Sequence, residues 1–311
     1  MKKLLKIMSA VFVISAAITT AAHAEFTDMP SDTRLSQALD NAVANGLLTG
    51  ISDTEIAPDM ALTRAQMATI LTRALGAKTA ADISAFGDVK ESDWYYDSMA
   101  KAVYMGAFKG DGENLSPEAQ ITTEQAYTVL SRIFCLKYSD ESSVSSLSDI
   151  SSVSDWAKEH VIKIYTSGYE CNASAINPQK PMTRAEFAVT LDNLVKTYIN
   201  EPGTYSELPD GNIVVRSKNV TFKDFHTDGD VYIADGVTGN TVFDGGEIER
   251  IVVRGGNCKF SSTVSSVYAA MPGVVLSPTA PYSVKAGKDG SKGTIEATVD
   301  GTHIDLGTLQ L

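Results

Sequence analysis

The sequence predicts a multidomain chain: an all-α unit of three tandem helix–loop–helix repeats, then a small all-β domain read as a short β-solenoid. Three observations carry this reading. One five-residue pattern recurs at a period of about 60 residues, as Leu62-Thr63-Arg64-Ala65-Gln66, Ile121-Thr122-Thr123-Glu124-Gln125 and Met182-Thr183-Arg184-Ala185-Glu186. Apolar residues follow each copy at helical spacing. After Tyr198 the texture changes to short β-rich runs separated by Gly and Asp.

Residues 1–24 read as an export signal. Lys2, Lys3 and Lys6 precede an apolar stretch from Ile7 to Ala21, and Ala22-His23-Ala24 fits a small-x-small cleavage site. Cleavage is expected after Ala24. The apolar stretch is short for a membrane span. No C-terminal sorting tail is visible, so surface attachment is expected to be non-covalent or through a partner.

The repeats are placed at 25–80, 81–140 and 141–199. Each opens near an Asp after an apolar residue: Phe26-Thr27-Asp28, Phe86-Gly87-Asp88 and Leu147-Ser148-Asp149. Trp94 and Trp156 hold equivalent positions, where the first unit has Arg34. In the second unit Asp93 is expected to cap a helix with Trp94, Met99, Ala102, Val103 and Met105 on its apolar face. Trp156, Val161, Ile164 and Tyr165 repeat that stripe in the third. Gly46, Gly106 and Gly168 are expected to end these helices, because Gly tolerates the left-handed turn. Pro58, Pro117 and Pro178 lie shortly before each pattern. The pattern itself starts a second helix: Thr63 with Gln66, Thr122 with Gln125 and Thr183 with Glu186 are capping boxes.

Capping accounts for the Thr and the Gln or Glu, but not for the Arg. Arg64 and Arg184 fall in a first helical turn, where the dipole disfavours a cation by roughly 0.3–1 kcal/mol. A helix start offers free N–H groups to anions, and a guanidinium can grip a carboxylate with two hydrogen bonds. The alternative is that each Arg pairs with a structural acid such as Asp28, Asp88 or Asp149. Residue chemistry leaves both open.

The threefold pattern, with matched Asp, Trp, Gly and Pro positions, resembles the S-layer homology (SLH) domain and its Thr-Arg-Ala-Glu signature. The resemblance covers residues 26 to about 198. It implies a pseudo-threefold bundle whose grooves bind secondary cell-wall polymer, typically a terminal pyruvylated amino sugar. It implicates Arg64 and Arg184 in recognising that ligand's charge, with Thr63 and Thr183 beside them. For Trp94 and Trp156 it implies an apolar groove wall, against core packing as the ordinary reading of the helical stripe. The chain departs from the pattern at Thr123, which replaces Arg and is followed by Glu124, and at Arg34, which replaces Trp. At most two competent grooves are therefore expected.

A linker is placed at 200–211 and the β-rich domain at 212–311. Ile213-Val214-Val215, Val220-Thr221-Phe222, Val231-Tyr232-Ile233, Thr241-Val242-Phe243 and Ile251-Val252-Val253 read as strands, the last four spaced by about 10 residues. Even spacing suits a β-solenoid or a sandwich, and the shared turn style favours the solenoid. Thr294 to Leu309 reads as a hairpin around Asp300-Gly301, placed to cap the stack. Asp228, Asp230, Asp235 and Asp244 read as turn formers.

A formal net charge of −12 argues against nucleic acid as a partner. Cys135, Cys171 and Cys258 are odd in number, and free structural thiols are expected over a Cys135–Cys171 pair. No spacing suggests a metal, a cofactor or a catalytic grouping. The expectation is a secreted, non-catalytic envelope protein held on secondary cell-wall polysaccharide, with no membrane contact after signal cleavage. The alternatives are an SLH-tethered β-helix module that binds or degrades polysaccharide, and a self-assembling lattice subunit.

Overall fold

The structure is a computed structural model, describing residues 26–138, 144, 147–260, 263–269, 275–276, 294–299 and 302–308. The export signal and the tip of the C-terminal hairpin lie outside these residues. Three helix pairs come first: α1 (Thr33–Ala44) and α2 (Arg64–Ala74), α3 (Tyr96–Tyr104) and α4 (Thr123–Ile133), α5 (Asp155–Thr166) and α6 (Arg184–Leu194). The second helix of each repeat packs on the first helix of the next, as α2 on α3, α4 on α5, and α6 back on α1. The repeats thus close into a pseudo-threefold bundle around one apolar core.

A ring of backbone hydrogen bonds marks the axis. Leu62 N–H donates to the Met182 carbonyl, Met182 N–H to Ile121, and Ile121 N–H to Leu62, each at 2.9 Å. These residues immediately precede the three signature Thr residues and are fully buried. Burial demands that their backbone groups be paired, and the neighbouring repeats supply the partners.

Local signals account for most helix ends. Gly46, Gly106 and Gly168 have φ of 69°, 80° and 71° and follow α1, α3 and α5 closely, as expected. Asp93 is a correction: α3 starts at Tyr96, and the Asp93 carboxylate instead accepts the Lys90 N–H at 2.8 Å in the preceding turn. The Asp that opens each repeat acts across its unit. Asp28 accepts the N–H groups of Ile56 and Ala57, Asp88 those of Leu115 and Ser116, and Asp149 those of Ile176 and Asn177. Ala57, Ser116 and Asn177 have φ of 52°, 53° and 48°. Each carboxylate thus holds a left-handed turn that a non-glycine residue resists.

Three titratable groups are expected to make the bundle acid-sensitive. Burial opposes the Asp28 charge, but the Ile56 and Ala57 N–H groups and the nearby Arg184 outweigh it and hold its carboxyl below the usual range. Burial likewise opposes the Glu186 charge and is outweighed by Lys180 and Thr183. Burial, with Arg132 and Lys163 adding to it, holds His160 at about 4. The unfolded chain therefore takes up protons first at all three. Stability is expected to fall gradually as pH drops below about 6.5, where unfolded His is protonated, and more steeply below about 4. Urea unfolding at pH 7, 5 and 3 checks this, and a midpoint that stays level contradicts it.

The β-domain is a parallel solenoid. Its strands are β1 (Thr197–Ile199), β2 (Gly203–Tyr205), β3 (Ile213–Val215), β4 (Val220–Ile233), β5 (Asn240–Val253), β6 (Asn257–Phe260), β7 (Thr263–Ala269) and β8 (Val275–Leu276), then β9 (Thr294–Val299) and β10 (Thr302–Thr308). Val220 pairs with Thr241 and Val231 with Ile251, so one coil takes 20–21 residues and the 10-residue spacing is half a coil. Asp228-Gly229-Asp230 and Asp244-Gly245-Gly246 accordingly lie within β4 and β5 rather than between strands. Like residues stack up the core: the Phe222 and Phe243 rings lie 5.1 Å apart at 8°. The stretch expected as a linker contains β2, which pairs with β4, and β1 follows α6 closely and pairs with β3. The hairpin is present: β9 and β10 pair antiparallel, and β10 joins β7 in parallel.

Among the described residues the three cysteines are free, and no helix is long and apolar enough to cross a membrane.

Candidate functional site

The starts of α2, α4 and α6 lie at the three seams between repeats. Capping boxes stand at all three starts: at α4 Gln125 Oε1 accepts the Thr122 N–H at 3.2 Å, and at α2 Thr63 Oγ1 accepts the Gln66 N–H while Gln66 Oε1 accepts the Thr63 N–H, at 3.2 and 3.0 Å. Thr183 and Glu186 do the same at 3.2 and 2.9 Å. The Thr63 and Thr183 side chains therefore serve their own helices.

The expectation of free N–H groups at these helix starts is overturned. Arg64 and Ala65 donate to the carbonyls of Ala119 and Pro117, Thr123 and Glu124 to Lys180 and Pro178, and Arg184 and Ala185 to Met60 and Pro58. The loop of the adjoining repeat takes up donors that a buried helix start cannot leave unpaired. Any anion recognition must therefore come from side chains.

The seams differ in side chains. Between repeats 3 and 1, Arg184 is 5% exposed and donates from Nε to the Ile56 carbonyl at 2.7 Å and from Nη2 to Thr49 at 2.6 Å. It is a structural staple. Arg34 borders the same seam and donates to the Cys171 carbonyl.

Between repeats 1 and 2, Arg64 makes only the first of those bonds, from Nε to the Leu115 carbonyl at 2.8 Å. Its guanidinium lies over the Phe108 ring, 4.6 Å from the centroid. Its two terminal nitrogens donate to no residue among those described, and the side chain is only partly buried. Burial pulls the pKa of both guanidinium groups down, against Asp88 and Asp111 for Arg64 and Asp28 for Arg184. Neither Arg forms an ion pair with Asp28, Asp88 or Asp149, whose carboxylates are committed to the turns.

Between repeats 2 and 3 the site is filled from within. Glu124 is 2% exposed and accepts the Ser154 N–H at 3.0 Å, the Ser154 hydroxyl at 2.9 Å and the Gln179 amide at 2.8 Å. Thr123, in the Arg position, is buried and donates to the Lys180 carbonyl. An internal carboxylate thus occupies the second helix start.

Trp94 and Trp156 overturn the core-packing reading, being 64% and 53% exposed. Trp94 stands just before α3, the helix that packs on α2 across the repeat 1–2 seam, with Tyr95 edge-on at 5.3 Å. Trp156 is the second residue of α5, whose N-cap Ser154 is held by Glu124. Only the first seam therefore has both a signature Arg and an exposed Trp. Sequence reasoning missed Phe108, and it marked Glu124 as a departure without foreseeing the hydrogen bonds by which that carboxylate fills its own seam. The signals available were an aromatic residue two places after Gly106 and a charge where the other repeats have Ala65 and Ala185.

Comparison with known proteins agrees with this architecture. The S-layer homology domain model matches residues 25–68, 85–126 and 146–188. The chain is 31% identical over 195 residues to the surface-layer 125 kDa protein of Lysinibacillus sphaericus, which covers 60% of this chain and 16% of that protein. It is 31% identical over 156 residues to the exoglucanase XynX of Acetivibrio thermocellus, covering 48% and 14%. With the surface layer protein of Brevibacillus choshinensis the figures are 28% over 141 residues, 42% and 13%. The chain thus spans less than a fifth of the length of these relatives.

Proposed function

Because the chain carries three S-layer homology domains ahead of a β-solenoid, we propose that it is a non-catalytic cell-envelope surface protein held non-covalently on secondary cell-wall polymer. The ligand class is a sugar polymer carrying carboxylate, such as a pyruvylated amino sugar. The observation that supports this most directly is Arg64, which lies over Phe108 with unspent donors beside a seam bearing exposed Trp94. A guanidinium binds a carboxylate through paired hydrogen bonds, and an indole face suits a sugar ring's apolar side. The repeat 1–2 seam is the principal site. Export by residues 1–24 would deliver the protein to the wall.

Sedimentation of residues 25–311 with purified wall tests the reading. Binding should disappear after chemical removal of the secondary polymer, and binding that survives stripping rejects it. The silent seam can also be opened. Replacing Thr123 with Arg and Glu124 with Ala should remove the carboxylate, supply a guanidinium to the second seam and raise polymer affinity several-fold through added valency. Titration of the double variant with soluble polymer measures this, and affinity equal to the parent would count against occlusion by Glu124.

A further inference from the structure

Among the polar contacts between solenoid and bundle, which include Arg250 donating to the Cys135 carbonyl at 2.7 Å and Lys78 to the Gly236 carbonyl at 2.7 Å, three solenoid side chains each join the ends of one repeat's two helices. For repeat 1, Arg216 donates to the carbonyl of Asn45, which follows α1, at 3.1 Å, and to that of Arg73 near the end of α2 at 3.2 Å. For repeat 2, Arg254 donates to Met105, which follows α3, at 3.2 Å, and to Ile133 at the end of α4 at 3.0 Å. For repeat 3, Asn212 donates from one amide nitrogen to the Leu194 carbonyl at the end of α6 and to the Tyr169 hydroxyl after α5, both at 2.8 Å. Helix C-termini carry unpaired carbonyls and partial negative charge, so cationic and amide donors suit them.

Each donor is itself held in place. Arg216 donates to the Asn200 side chain at 2.7 Å and lies over the Tyr198 ring. Arg254 is 4% exposed and paired with Asp235 at 2.8 Å. The Asn212 side-chain oxygen accepts the Asp230 N–H at 2.8 Å. Backbones also meet directly: Gly236 N–H donates to the Leu75 carbonyl, and a Cβ on Gly236 would lie 1.8 Å from the Gly76 oxygen.

We propose that Arg216, Arg254 and Asn212 form a three-point clamp by which the solenoid sets the mutual position of the SLH repeats. They are positioning residues for the wall-binding seams, which lie at the opposite, N-terminal ends of α2, α4 and α6. The polymer-binding part of this inference rests on the proposed function; the mechanical part does not.

The test separates the two. Trp94 and Trp156 are the chain's two tryptophans and both lie in the bundle, so tryptophan fluorescence reports bundle unfolding alone. In residues 25–311, Arg216→Met should lower the tryptophan-detected midpoint by several degrees, although its hydrogen-bond partners in the bundle, Asn45 and Arg73, lie outside the apolar core. Asn212→Ala should do the same, and amide exchange should quicken at the ends of α1 and α2 in the first variant and α6 in the second. Arg216→Lys, which keeps charge but not the fork, should fall between parent and Met. Tryptophan midpoints and exchange rates equal to the parent in both variants would overturn the clamp, whatever the polymer result. If the midpoints fall, sedimentation with wall just below the variants' transition should show weakened binding. Unchanged binding there would overturn the coupling to the seams.

Discussion

Arg64→Ala is expected to weaken binding of the full mature chain to polymer-bearing wall by about 10- to 100-fold while leaving the fold intact. The magnitude follows from losing a hydrogen-bonded, charge-assisted contact of about 1.5–3 kcal/mol. Within the protein Arg64 spends one N–H, on the Leu115 carbonyl, so its removal costs the bundle little. Arg184→Ala should behave in the opposite way. It strands the carbonyl of buried Ile56, at a cost of about 1–3 kcal/mol, removes the tie to Thr49, and affects wall binding only through that loss. Measuring sedimentation and thermal midpoint on both variants separates the roles. Equal loss of binding by two equally stable variants would show that both arginines face the polymer. Arg64→Lys should recover only part of the affinity, because an ammonium cannot make the paired contact.

Arg254→Met should be the most destabilising single change at the junction, by about 3–5 kcal/mol. It leaves Asp235, 7% exposed at its side chain, as an uncompensated buried charge. Burial is the largest influence on Arg254 and lowers its pKa; the charge and hydrogen bonds of Asp235 outweigh it and raise the pKa overall. Adding Asp235→Leu removes the stranded charge and should recover much of the loss, though Met105 and Ile133 still lack their donor. Denaturant unfolding of the three variants checks this. A double variant no more stable than Arg254→Met would mean that the carbonyl contacts, not the ion pair, dominate.

The two arginines of the signature show where sequence reading stops. Thr63 with Gln66 and Thr183 with Glu186 are legible because a capping box closes within four residues. The left-handed glycines after α1, α3 and α5 are legible for the same reason. Arg64 and Arg184 look identical in their pentapeptides and end in different roles. What separates them is the second carbonyl within reach, Thr49 for Arg184, which lies 135 residues away in sequence. The exposure of Trp94 was also hidden, since a helical stripe predicts which residues share a face but not where the helix begins. With α3 starting at Tyr96, Trp94 falls in the preceding turn.

By itself the sequence determined three helical repeats and most of their caps and stops, favoured a solenoid with a C-terminal hairpin over a sandwich, and marked the second seam as different in charge. Each of these is written in local spacing, in turn chemistry or in the difference between repeats. The tertiary structure alone decided that the signature helix starts are sealed by neighbouring loops, that Glu124 fills its own seam, and that the solenoid is hydrogen-bonded to the bundle's helix ends rather than trailing from a linker. Those outcomes depend on which buried polar groups meet across tens to more than a hundred residues of chain. Burial forces such groups to find partners, but only the assembled fold determines which partners are near enough to serve.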